Sequence, residues 1–230
     1  MINNDKEAGE KMIVIGIDLS GPTNTKDTVV SIFEKVDGAL KLRQLISGAT
    51  DEVILSRIQK EAEHHTVFIG IDSPLSYQGG GGDRQADKSL RTYITELGMK
   101  SSSIMAPTMN RMAYLTLRGI SLTRAIVSMT TKKPVKIVEV HPAAVMGSRI
   151  PKELLPHLLT YKKEADSRLH IFQFLQSTDL NALPEEVKET THAIDSCAAA
   201  LGAWNWGDPY LEPNWCWKAE PPLHPYDYCC

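Results

Sequence analysis

The chain has 230 residues, 42% hydrophobic and 23% charged, with a formal net charge of -3. That is enough chain for one α/β domain with insertions and enough apolar content for a real core. The acidic balance excludes a globally basic nucleic-acid binder, so a polyanion would need a local basic patch or a bound cation. No apolar run reaches the roughly 20 residues of a membrane helix. Met1 to Lys11 is polar and reads as a flexible leader, without the apolar segment of a secretory signal. Four cysteines without a paired spacing give no disulfide framework, and a cytoplasmic location is expected. The adjacent Cys229 and Cys230 read as part of a loose terminus.

Met12 to Asp18 (MIVIGID) is the first buried-type strand. Thr28 to Lys35 and Leu40 to Ile46 follow as strands, joined at Asp37-Gly38, a turn pair that favours an antiparallel hairpin. Helical spacing runs from Asp51 to His65, and Thr66 to Asp72 (TVFIGID) is another buried strand. A four-glycine loop, 79–82, precedes helical patterns over Asp83 to Leu97 and Met109 to Met129, read as a helical insertion around 83–130. Val135 to His141 is a further strand, closed by His141-Pro142. Helices are expected over Lys152 to Leu159, Lys162 to Leu175 and Glu185 to Trp204. Residues 207–230, rich in proline and aromatics, read as an irregular tail packed on a domain spanning 12–206. Alternating strands and helices plus a hairpin imply a mixed five-stranded sheet flanked by helices, in the strand order of ribonuclease H.

Ile-Gly-Ile-Asp occurs twice, at 15–18 and 69–72, each time ending an apolar strand. Each aspartate shares a strand face with the glycine two residues before it, which clears volume for another group to approach. If the two strands pair in parallel, Asp18 and Asp72 stand roughly 5 Å apart. Carboxylates that close repel, and a cation relieves the repulsion. Glu139, on a strand too apolar to be fully exposed, is a third candidate. Asp195, at the border of the apolar stripe Ile194, Cys197, Ala198 and Leu201, is a fourth. Ala199, Gly202 and Ala203 would let that helix approach the sheet closely. Such oxygen ligands suit Mg2+ or Mn2+. Two ions would support in-line phosphodiester hydrolysis.

Taken together, IGIDLSGP (15–22), IGIDSPLS (69–76), DRQADKSLR (83–91), MNRMAYLTLRG (109–119), VEVHPAAVM (138–146) and HAIDSCAAALGAW (192–204) resemble a known group. It is the predicted RNase H-like nuclease family (domain of unknown function 429), distantly related to RuvC-type nucleases. The resemblance implies a ribonuclease-H-like fold and a metal-dependent nuclease, with Asp18, Asp72, Glu139 and Asp195 as catalytic and metal-binding residues. It also points to Arg84, Arg91, Arg111, Arg118 and His141 on a nucleic-acid substrate, DNA or RNA. Asp87 would fix one of the arginines. His192, one turn before Asp195, either shares the site, caps the helix or bonds Asp195. Lys132 and Lys133 read as a solvated loop, and the four tryptophans as packing of the tail.

Two other functions fit the same fold. One is a nucleotide-binding phosphotransferase or ATPase of the actin-like class, suggested by Asp18-Leu19-Ser20-Gly21-Pro22-Thr23. The other is an inactive, metal-stabilised binding module. Oligomeric state is open, a homodimer included.

Overall fold

The computed structural model describes residues 11–230; the predicted leader falls almost wholly outside them. One mixed sheet runs through the molecule in the order β6-β3-β2-β1-β4-β5-β8-β7. Its centre is β1 (Met12–Asp18), β2 (Val29–Val36), β3 (Ala39–Ser47), β4 (Thr66–Asp72) and β5 (Val135–Val140). β1 pairs antiparallel with β2 and parallel with β4, and β4 pairs parallel with β5. The hairpin turns on Asp37 and Gly38, both at positive φ, where an Asp-Gly pair meets the least resistance.

Among the described residues the sheet has eight strands where five were expected. The extra three, β6 (Leu180–Asn181), β7 (Cys216–Trp217) and β8 (Tyr228–Cys229), are two residues each. Runs so short carry no alternation that a sequence pattern could reveal. β8 joins β5 through Glu139 and Val140, so the tail extends the sheet instead of lying irregularly on it.

Alternation along the strands sorts the core into two layers. Ile13, Ile15 and Ile17 of β1, with Val67, Ile69 and Ile71 of β4, pack under α1 (Asp51–Glu61) and α3 (Asn110–Ser128). The opposite face, with Val14, Val138 and Val140, is covered by α7 (Thr191–Gly207), α6 (Ala165–Ser177) and α4 (Pro142–Gly147). α2 (Gln85–Glu96) and α5 (Leu155–Thr160) join this second layer through Leu90 and Leu158. No described helix is long and apolar enough to cross a membrane.

The approach of α7 is what the paired glycines permit. Gly16 and Gly70 are register partners on β1 and β4. A Cβ on Gly16 would overlap Ser196 O and stand 2.5 Å from Ala200 N, and one on Gly70 would overlap Ala199 O. The helix backbone therefore rests directly on the strand backbone at the two positions beneath the aspartates. Thr190 starts the helix as N-cap, accepting from Ala193 N at 3.1 Å.

Candidate metal centre

Asp18 and Asp72 are register partners at the carboxyl ends of adjacent parallel strands. α7, seated on the glycines, delivers Asp195 to the same point. One carboxylate oxygen from each of the three residues lies within 4.8 Å of the others. Asp18 and Asp195 are buried, while Asp72 is half-buried at the floor of a cleft of about 230 Å³. Asp18, Lys162, His141, Ser73 and Met112 line the same cleft.

The electrostatics are those of crowded acids. Burial, then the charges of Asp18 and Asp195, push the Asp72 carboxyl well above the usual range. Burial likewise raises Asp18, against a hydrogen bond from His192 Nδ1 to its Oδ2 at 2.6 Å. That bond in turn raises His192. Asp195 accepts from the Tyr161 hydroxyl at 2.6 Å and meets the Lys162 ammonium at 3.0 Å. Beside Asp195, Lys162 is held above its ordinary value. Tyr161 and Lys162, in the turn between α5 and α6, were not singled out in the sequence, because nothing local links that turn to α7.

Glu139 does not join the other three. In the β4–β5 register it stands opposite Ile71, not Asp72, and so occupies the opposite pleat. Its Oε2 accepts from Leu75 N at 2.8 Å and from Arg84 Nη1 at 2.8 Å, and its Oε1 from Arg84 Nη2 at 2.5 Å. Arg84 also donates to Asp87 through Nε (3.0 Å) and Nη2 (2.7 Å), and to Ser76 Oγ through Nη1 (3.1 Å). All five guanidinium N–H donors are used, and the buried group stacks on Tyr228 at 5.3 Å. This is a saturated structural knot in the wall of the same cleft, and the structure thus pairs the expected fourth carboxylate with the expected phosphate-binding Arg84 instead of gathering it with Asp18, Asp72 and Asp195.

Other expected substrate residues are also committed within the fold. Arg91 makes a two-pronged pair with Asp83 at 2.8 Å and donates to Ile104 O. Arg118 is buried and joins Asp51 to Ser20 O and Thr28 Oγ1, tying the β1–β2 loop to the start of α1. Arg111 is exposed at the start of α3. His141 reaches the cleft, but its Nδ1 accepts from Ala144 N at 3.1 Å and caps α4. Burial lowers it to about 4. His192 resolves onto Asp18 rather than Asp195.

A second group, His157, Asp166 and His170, also brings possible ligand atoms together. Its two imidazoles stack with centroids 3.9 Å apart and planes 6° from parallel. A ring nitrogen's lone pair lies in the ring plane, so no single ion is in line with both rings as they stand.

Two expectations follow for protein held in chelator. Asp72→Asn relieves repulsion and removes a charge that burial disfavours, so melting temperature should stay level or rise. A loss of several degrees would instead mark Asp72 as a structural acceptor. Asp18, Asp72 and His192 all hold protons more tightly folded than unfolded, so their contribution is full at low pH and fades as pH rises through their folded values. His141, depressed to about 4, acts oppositely, losing stability only as pH falls below its ordinary 6.5. Above pH 6.5 the chelated protein should therefore lose melting temperature as His192 gives up its proton, and Mn2+ should flatten that slope. A flat chelated profile would count against the pairing of His192 with Asp18.

A family model described as protein of unknown function (DUF429) matches residues 16–213. No curated protein and no solved structure matches the chain.

Proposed function

We propose that the chain, which belongs to the DUF429 family, is a divalent-metal-dependent phosphodiesterase acting on nucleic acid, with a ribonuclease-H-like arrangement of its central strands. The observation that carries this reading is the convergence of Asp18, Asp72 and Asp195 at one point, where Asp18 and Asp72 line a cleft. The strand order β3-β2-β1-β4-β5, with only the first three antiparallel, supports the fold reading.

The donor set fits Mg2+ or Mn2+: three carboxylates, all oxygen, too crowded to ionise comfortably without a cation. With Glu139 saturated by Arg84, the acids available number three, and the reading rests on a centre built from these. When bound, the ion would supply Lewis-acid polarisation of a phosphoryl oxygen and neutralise developing charge. Asp18, Asp72 and Asp195 would hold it. His192, whose Nδ1 is engaged by Asp18, keeps Nε2 for moving a proton at the exposed edge of the site. His141 shapes the cleft wall as a neutral helix cap.

The actin-like reading has weaker support. Ser20 Oγ is held by Asn24 O and Thr28 Oγ1 at 2.7 Å each, and Arg118 closes the loop from behind. A loop so occupied offers little to a nucleotide phosphate.

The test is incubation with labelled single-stranded, duplex and branched DNA and RNA, in Mn2+ and in chelator. Metal-dependent cleavage that disappears in Asp18→Asn is expected. Thermal stabilisation by metal without cleavage of any substrate would leave the binding-module reading instead.

A further inference from the structure

We propose that Lys162 is a tethered counter-cation that occupies the acidic centre in competition with the divalent ion, and so sets the protein's affinity for metal. The inference rests on the reading that Asp18, Asp72 and Asp195 take an ion.

Three carboxylates within 4.8 Å of one another need compensating charge even without metal. Among the described residues, two basic side chains bond directly to them: His192 on Asp18 and Lys162 on Asp195. The Tyr161 hydroxyl adds a neutral donor to Asp195. Lys162 is the one permanent positive charge of the three, and its field also reaches Asp72 and Asp18. Of the ion pair it is the member open to solvent. Its side chain is 60% exposed while that of Asp195 is 3% exposed. The ammonium thus enters from the cleft, on a long flexible stem, from a turn outside the sheet and α7. Arg84 on Glu139 is the contrast: 5% exposed, saturated and unable to leave. Lys162 holds Asp195 Oδ2 and the Tyr161 hydroxyl holds Oδ1, so an ion reaching Asp195 must displace one of these donors or share an oxygen with it, in each case displacing the ammonium or sitting a few ångströms from it at like-charge cost. Either way the lysine and the metal bind in opposition, by charge displacement and without any proton leaving Lys162.

The measurement is Mn2+ binding to the whole chain, by calorimetry and by loss of the free-ion paramagnetic signal, for the native protein, Lys162→Met and Lys162→Arg. Lys162→Met should bind Mn2+ at least about tenfold more tightly, the scale expected from removing a unit charge a few ångströms away. It should also melt lower in chelator, with a larger Mn2+-induced rise. Lys162→Arg keeps the charge and should stay near the native affinity. Equal or weaker binding by Lys162→Met overturns the competition while leaving the metal centre intact. Absence of binding in all three proteins, or binding that survives Asp18→Asn, overturns the metal-centre reading and this inference with it.

Discussion

Replacing Arg84 with methionine is expected to cost about 3–5 kcal/mol of folding stability, a fall in melting temperature on the order of 10 °C. The reason is the saturation of the guanidinium. Its removal strands two buried carboxylates, Glu139 and Asp87, which are 4% and 2% exposed. Glu139 would keep only the Leu75 N–H, and Asp87 only the Arg84 backbone N–H. Breaking one side of a buried pair costs far more than the pair itself contributes, because the remaining charge has no water to return to. Arg84→Met combined with Glu139→Gln should recover part of the loss, and denaturant titration of the four proteins gives the coupling directly. A loss below about 1 kcal/mol in Arg84→Met, the size typical of a solvated surface pair, would contradict this account. Metal affinity of the folded fraction should change little, since neither residue meets Asp18, Asp72 or Asp195.

The five central strands were legible to within a residue, whereas α1 ends at Glu61 instead of His65 and α7 begins at Thr191 instead of Glu185. β1 and β4 are apolar runs that each end in an aspartate, and observed and expected limits coincide. The Asp37-Gly38 hairpin and the parallel pairing of Asp18 with Asp72 also follow from short-range chemistry plus topology. What was not legible depends on register and on distant contacts. Glu139 sits near the end of an apolar strand just as the aspartates do, but a single residue of register sends its side chain to the other face. Arg84 lies 55 residues from Glu139, and no spacing rule joins them. α4 was missed because His141-Pro142 reads equally as a strand stop and as a helix cap followed by proline at the first turn; here it is both. Lys162 carried no signal until the fold placed its turn against α7.

Gly70→Ala should be more damaging than its single methyl suggests, with a loss of about 3 kcal/mol or more, and Gly16→Ala at least as severe. At both sites the added carbon meets backbone atoms of α7, Ala199 O above Gly70 and Ser196 O above Gly16. A rotamer change cannot relieve either overlap. The helix must lift, and it carries Asp195 with it, away from two aspartates fixed by the strand register. The substitutions therefore couple packing to chemistry in a way Arg84→Met does not. Any folded Gly70→Ala protein should show weakened Mn2+ affinity alongside its lowered melting temperature. Gly21→Ala, in a loop where a Cβ meets nothing within 4 Å, supplies the matched control and should leave both quantities unchanged. If Gly70→Ala kept native metal affinity at reduced stability, Asp195 would not owe its position to the contact of helix and strand backbones. The two Ile-Gly-Ile-Asp repeats would then be a device for close packing alone. Parallel loss of both properties would mean that each glycine sets the distance at which the third carboxylate meets the aspartate two residues along its strand.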